Sequence, residues 1–115
     1  MNIEDVRAFC MSLPHTTEDL PFDEHTLAIR VAGKIFTLIP LDNPGRMNLK
    51  CDPEKAILLR EEYTAIQPGY HMNKKMWNTV HYDQLPAALI QELIVDSYKL
   101  IIAGLPKKTQ QVING

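Results

Sequence analysis

The sequence predicts an α+β domain with two layers, in which helices cover one face of an antiparallel sheet of about five strands. Three observations predict it: a helical apolar period near the N-terminus, apolar and polar residues that alternate between positions 26 and 51, and a long apolar helix from about Pro86 to Ala103. At 115 residues the chain fits one domain, 1–115. A domain of that size buries about two thirds of the surface that its unfolded chain exposes.

The first predicted helix follows Asn2, whose side chain can cap it, and ends at Pro14. Its apolar residues recur three and four positions apart, and Asp5 in the first turn complements the helix dipole. Acidic residues then surround the segment 20–22, Leu-Pro-Phe. This segment is predicted to be an edge strand or an extended link, because proline cannot donate to a central ladder.

The clearest strand pattern lies at residues 26–40 and predicts a β-hairpin. A turn at Gly33 and Lys34, with glycine first, suits type II′ and would place Val31 opposite Phe36. A further strand then alternates two kinds of side chain. The apolar set is Met47, Leu49 and Cys51, and the polar, mainly basic set is Arg46, Asn48 and Lys50. The sheet is therefore expected to have one apolar and one basic face.

Two more helices are predicted in the second half of the chain. Asp52 followed by Pro53 is a strong helix start, and this helix should run to about Tyr63. Residues 77–82 are predicted to form the last strand, before the helix that starts near Pro86. Beyond that helix, the polar residues 107–115 are expected to form a frayed tail.

Composition narrows the function classes. The chain is 45% hydrophobic and 23% charged, and no apolar run approaches the roughly 18 residues of a membrane span. The N-terminus has no signal-peptide pattern, so we expect a cytoplasmic protein without a membrane partner. Cys10 and Cys51 form no Cys-x-x-Cys pair and are expected to be buried thiols. We expect neither a metal nor a cofactor.

The formal net charge is −2 and the isoelectric point is near 6.0. Binding of nucleic acid depends on a basic surface that neutralises phosphates. Any such binding by this chain is therefore expected to be confined to a local patch.

The segment 68–80, PGYHMNKKMWNTV, concentrates the only tryptophan, a histidine and a lysine pair. It resembles a segment of the MmcQ/YjbR family of small bacterial proteins. The run TEDLPF at 17–22 and the run SYKLIIAGLPKK at 97–108 resemble the same family, so the resemblance covers nearly the whole chain. It implies a fold similar to that of YjbR and the secretion chaperones, and it implies DNA binding. Met76 stands where the family is expected to have histidine.

A local nucleic-acid site follows from residue chemistry as well as from this resemblance. Lysines neutralise phosphates, an aromatic plane stacks a base, and amides read base edges. The candidate residues of the central segment are His71, Asn73, Lys74, Lys75, Trp77 and Asn78, and those of the basic sheet face are Arg30, Arg46 and Lys50.

Two other function classes, an enzyme and a protein-interaction adaptor, are alternatives to nucleic-acid binding. The histidines show no ligand spacing of the zinc kind, and no nucleophile or base is paired in the sequence, so we expect no enzyme activity. A non-catalytic, chaperone-like protein-interaction adaptor stays open as the alternative. Its binding surface would be the wide apolar arc of the helix near Pro86 or the cluster of Tyr70, Met72 and Trp77. The pattern does not decide the oligomeric state.

Overall fold

The computed structural model describes residues 1–69 and 72–114. The helices in these ranges are α1 (Ile3–Ser12), α2 (Pro53–Glu62), α3 (Ala87–Ala103) and α4 (Lys107–Asn114). The strands are β1 (Thr16–Asp19), β2 (Thr26–Val31), β3 (Lys34–Pro40), β4 (Arg46–Lys50), β5 (Ile66–Pro68) and β6 (Trp77–His81). A short 3₁₀ helix, Tyr82–Gln84, follows β6.

The described strands form one antiparallel sheet in the order β1-β2-β3-β4-β6-β5. Helices α1 and α3 pack on one face of this sheet, and α2 lies against β5. The predicted two-layer α+β fold is confirmed. The sheet has six strands rather than about five because β5 adds a strand of three residues at one edge. A strand that short is too brief to show an alternating pattern.

Both helix starts that the sequence predicts are present. The Asn2 side chain accepts a hydrogen bond from the backbone N–H of Asp5 at 2.8 Å, and the Asp5 carboxylate accepts one from the Asn2 backbone at 3.1 Å, which makes a capping box. At α2 the Asp52 carboxylate accepts from the backbone N–H groups of Glu54 and Lys55, each at 3.1 Å. These contacts satisfy backbone donors that a helix leaves without partners.

The β2–β3 hairpin is present, but its turn and register differ from the prediction. Ala32 and Gly33 occupy the turn with φ of 49° and 83°. Two positive φ values in succession are those of a type I′ turn, whose twist matches the flanking strands. Val31 is therefore paired with Lys34 instead of Phe36. The predicted type II′ turn at Gly33 and Lys34 was wrong by one residue.

The one-residue shift alone would turn the side chains of β3 to the opposite face of the sheet, but a β-bulge next to the turn restores them. Phe36 is an extra residue of β3 without a partner on β2. The Ser97 hydroxyl of α3 donates to the Phe36 carbonyl oxygen at 2.6 Å and accepts from the Lys50 backbone N–H at 2.9 Å. Val31 and Phe36 consequently both lie in the buried core, although they are not paired.

The edge strand lies earlier in the chain than predicted. It is β1, Thr16–Asp19, and the segment 20–22 follows it with Leu20 and Phe22 exposed. Glu18 lies under α1, where its carboxylate pairs with the Arg7 guanidinium. The strand therefore turns a charged side chain, rather than an apolar one, towards the helices. For this reason the sequence of β1 carries no apolar alternation.

The polar C-terminal segment forms helix α4 where the sequence predicted a frayed tail. The Gln110 amide donates to the Leu105 carbonyl oxygen at 2.7 Å, and Ile113 packs against the core. A single apolar contact and a side-chain amide thus hold a segment whose composition is mostly polar.

Candidate nucleic-acid interface

The strand register divides the sheet into a core face and an outer face. Met47 and Leu49 of β4 are buried in the core, so the neighbouring side chains of β4 point the other way. We call the face that they reach the outer face. Its central pairs, in register between β4 and β6, are Arg46 with His81, Asn48 with Thr79, and Lys50 with Trp77.

The turn at 73–76 is built by Asn73. The Asn73 side-chain oxygen accepts from the Lys75 backbone N–H at 3.0 Å, and the Asn73 carbonyl oxygen accepts from those of Met76 and Trp77 at 3.1 and 2.9 Å. Asparagine commonly stabilises turns in this way. Lys74 and Lys75 are consequently held at the exposed tip of the turn, directly before β6. Of the Asn73 side-chain amide, which was predicted to read a base edge, the oxygen is engaged in this turn.

An arginine of α2 fixes the same turn from the core side. The Arg60 guanidinium donates to the carbonyl oxygen of Lys74 and lies 3.4 Å from that of Trp77. Its Nε donates to the Asn78 side-chain oxygen at 2.7 Å. Sequence reasoning missed Arg60, because a basic residue near a helix C-terminus is usual and gave no sign of these contacts.

Asn78 lies on the core face and is 2% exposed. Trp77 and Asn78 are neighbours on one strand, so their side chains point to opposite faces. Asn78, predicted to contact nucleic acid, is therefore separated from the candidate residues of the outer face, and its side-chain oxygen is bonded to Arg60.

The basic residues of the predicted sheet face divide into two groups. Arg46 and Lys50 lie on β4, half-buried, and no carboxylate of the described residues lies within ion-pair distance of them. Arg30 shares the outer face but lies on β2, where its Nε donates to the Asp19 carboxylate at 3.0 Å. Its positive charge is thus already paired. His71 falls outside the described residues.

Met76, the residue found in place of the expected histidine, contributes its backbone to the site. Its carbonyl oxygen accepts from the Cys51 backbone N–H at 2.7 Å, and its side chain is half-buried. This bond joins the turn at 73–76 to the end of β4 and does not depend on the side chain. A change of side chain therefore leaves the framework of the turn intact.

Both cysteines are buried and free, as the sequence predicts. Burial raises the pKa of the Cys10 thiol to about 12, and it also raises the pKa of Cys51. The Cys10 sulfur lies 3.8 Å from the Thr37 hydroxyl in the core. Both side chains lie in the core and neither belongs to the outer face.

Residues 1–69 and 72–114 contain no group of three metal-ligating side chains, and no helix among them is long and apolar enough to cross a membrane. The apolar arc of α3, one of the two surfaces considered for an adaptor, is largely buried. Its buried members are Ile90, Leu93, Ile94, Tyr98 and Ile102. In the second surface, Tyr70 lies outside the described residues.

Fold and site together define a small two-layer α+β domain whose outer sheet face carries basic and aromatic side chains. The YjbR family model matches residues 11–100. This chain belongs to the YjbR family. It is 37% identical to the Escherichia coli protein YbdF over 110 residues, covering 94% of this chain and 90% of YbdF. It is 30% identical to E. coli YjbR over 115 residues, covering 98% of both. Both relatives are described as uncharacterised.

Solved structures agree with this assignment. A Deinococcus radiodurans protein with a DUF419 domain superposes with a TM-score of 0.90 at 38% identity, over 97% of this chain and 87% of that one. A Pseudomonas syringae protein superposes with a TM-score of 0.74 at 29% identity, over 87% of this chain and 98% of that one. The likeness extends over nearly the whole domain.

Proposed function

We propose that this YjbR-family protein is a non-catalytic nucleic-acid-binding protein that holds single-stranded DNA on its outer face. The observation that carries the proposal is the cross-strand pair of Lys50 and Trp77 beside the turn that exposes Lys74 and Lys75. We call these four residues the lysine-tryptophan patch. Arg46 extends the patch along β4.

Charge supports this choice of ligand. The three lysines of the patch make no salt bridge with any described carboxylate, whereas Arg7, Arg30 and Lys55 elsewhere in the chain are all paired. Exposed amines without a carboxylate partner are available to phosphates. Since the net charge of the chain is −2, this patch must supply the attraction locally.

The geometry favours a single strand over a duplex. Trp77 is half-buried on a sheet face, so part of its side chain is accessible to a ligand. A base can stack on such a ring only when it is not already stacked within a double helix. The cytoplasmic location expected from the sequence would give the protein access to such strands.

The test is a titration of labelled single- and double-stranded DNA and RNA at several salt concentrations. The parent is compared with the double variant Lys74→Ala/Lys75→Ala. The matched control is Lys107→Ala/Lys108→Ala, which removes an adjacent pair of exposed lysines from α4. We expect the first variant to weaken binding to all sequences and to flatten the slope of log affinity against log salt by up to about two units.

The control variant should bind as the parent does, and both variants should unfold at the parent's temperature. Absence of binding by the parent at low salt contradicts the proposal. Equal losses in the two double variants also contradict it, because they indicate attraction to any lysine.

An adaptor function is the second candidate, and α2 favours it. Ile57 and Leu58 are adjacent on this helix, and their side chains are 53% and 63% exposed. Large apolar side chains side by side on a surface are typical of protein contacts. Failure of the nucleic-acid titration would leave this surface as the leading candidate, and sedimentation of an Ile57→Lys/Leu58→Lys variant would test its part in self-association.

A further inference from the structure

The outer face contains a cavity of about 400 Å³ at the end of β4 away from Lys50. The sheet residues that line it are Leu38, Asn48 and Thr79, and Phe22 and Met72 also belong to the lining. Arg46 provides the basic group. A volume of this size is within the range of small-molecule sites.

The polar part of the lining is fixed by hydrogen bonds. Asn48 and Thr79 are cross-strand partners, and the Thr79 hydroxyl donates to the Asn48 side-chain oxygen at 2.9 Å. Thr79 is 2% exposed, and its hydroxyl also lies 3.3 Å from the Pro68 carbonyl oxygen. With its oxygen engaged, Asn48 has its two amide N–H donors left for a ligand.

Arg46 is the basic residue of the cavity, and it is half-buried. Asp42 lies in the same lining, but no salt bridge joins it to Arg46, and none joins Arg46 to another described carboxylate. Arg30 on the same face shows the contrast, since Asp19 pairs with it. A guanidinium without a carboxylate partner binds carboxylate or phosphate through two parallel hydrogen bonds.

Apolar side chains line the same cavity as this cation. Phe22 is 67% exposed, and Leu38, Pro40 and Met72 complete the apolar lining. Aromatic rings stack on one another, and the thioether of methionine makes favourable contacts with ring edges. A flat ring inserted here would remove the exposed Phe22 side chain from water.

We propose that this cavity binds a planar aromatic ring joined to an anionic group, with the ring between Phe22 and Met72 and the anion on Arg46. The Asn48 amide donates to an acceptor on the ring. The ligand is either a free small molecule or one nucleotide of a strand. The proposal does not rest on the lysine-tryptophan patch, because Arg46 and Asn48 can be tested with compounds that never reach Lys74 or Lys75.

The test uses calorimetry and NMR titrations of ¹⁵N-labelled protein, with three sets of probes. The first is the four nucleoside monophosphates, the second is indole-3-carboxylate with its neutral amide, and the third is a short oligonucleotide with and without one abasic position. We expect saturable shifts centred on β4 and β6 for at least one anionic probe. Indole-3-carboxamide should bind about tenfold or more weakly than the carboxylate if the carboxylate is the ligand.

Variants locate the binding. Arg46→Met and Asn48→Leu should each lower the affinity for the tightest-binding probe by about tenfold or more. Arg30→Met, the matched control on the same face, should leave affinity unchanged, and all three variants must retain the parent's spectrum away from the substitution. Phe22→Ser removes the exposed ring without altering the strands, and it should also weaken binding.

The three sets give distinct outcomes. Binding of mononucleotides together with a loss at the abasic position identifies a nucleotide of a strand, and binding of the carboxylate alone identifies a free small molecule. No saturable binding by any ring-bearing anion, or parent-like affinity of Arg46→Met, overturns the proposal. Oligonucleotide binding that is insensitive to Arg46→Met and to the abasic position also overturns the proposal for the cavity. That result would still be compatible with strand binding at the lysine-tryptophan patch.

Discussion

Single positions decide what the outer face can bind, and Trp77 and Asn78 show this most clearly. Both stood in the predicted site because amides and indoles suit nucleic acid. The strand places only Trp77 on the outer face and leaves Asn78 bonded to Arg60. The sequence predicts which side chains could bind nucleic acid. It does not predict which of them face the core, because residues 77–80 show no clear alternation of apolar and polar side chains.

Replacing Trp77 separates binding from stability. Since Trp77 is half-buried and outside the core cluster, Trp77→Ala should cost less free energy of unfolding than the 3–5 kcal/mol that is roughly typical of a buried ring. Affinity for single-stranded DNA should fall by about 1–3 kcal/mol if one base stacks on it. Chemical denaturation and fluorescence anisotropy measure the two effects, with Trp77→Phe as the control that retains a ring. A large loss of stability with unchanged affinity would show that the indole is structural.

Cys10 gives the protein a pH dependence that arises in the core. Burial raises the pKa of its thiol to about 12, above an ordinary value of 9.0. The contribution to stability is therefore fully present below pH 9, where both states hold the proton, and it is lost between pH 9 and 12 as only the unfolded thiol ionises. The free energy of unfolding should fall by up to about 1.4 kcal/mol per pH unit in that window.

The measurement compares urea denaturation of the parent and of Cys10→Ala between pH 8 and 11. Subtracting the free energy of unfolding of the variant from that of the parent cancels the contributions of the other titrating groups. These include Tyr98, whose pKa is also raised by burial. The difference in stability between the two proteins should narrow as pH rises through 9. A constant difference would mean that the thiol ionises equally in both states.

The secondary-structure elements show where sequence patterns are reliable and where they fail. The caps at Asn2 and Asp52 depend on one side chain and a few backbone groups nearby, so local sequence predicted both. The hairpin also formed where alternation indicated it, but the bulge at Phe36 depends on Ser97, sixty-one positions away. A register that a distant hydroxyl stabilises cannot be derived from the strand alone.

The hairpin turn offers a stability test at this scale. Ala32 has a φ of 49°, a left-handed conformation that costs alanine about 1 kcal/mol and that asparagine adopts more readily. Ala32→Asn should therefore raise the free energy of unfolding by about 0.5–1 kcal/mol. Gly33→Ala should lower it by a similar amount, because Gly33 has a φ of 83° although no neighbouring atom obstructs a Cβ there. Thermal denaturation of both variants distinguishes this turn from the type II′ alternative, in which Ala32 would have a negative φ and Asn would bring no gain.

For the whole molecule, a net charge of −2 limits how strongly the outer face can attract nucleic acid. Among the described residues, four basic side chains lie on the outer face or its turn without a carboxylate partner: Arg46, Lys50, Lys74 and Lys75. Arg60 also lies beside β6, but its guanidinium is bonded on the core side to Lys74, Trp77 and Asn78. Four phosphate contacts on a single strand predict a slope of log affinity against log salt of about −3 at most. Binding should consequently be weak at physiological salt and stronger in dilute buffer.

Anisotropy titrations between about 20 and 200 mM salt would measure this slope for the parent. A value near −3 that becomes about −1.5 in Lys74→Ala/Lys75→Ala indicates that Lys74 and Lys75 supply half of the phosphate contacts. A much steeper slope would require cations outside this face, and Lys107 and Lys108 of α4 are then the residues to replace. A slope of only about −0.7 with measurable affinity would instead place the binding energy in the cavity beside Arg46, where a stacked ring adds no phosphate contact and a single anion adds one.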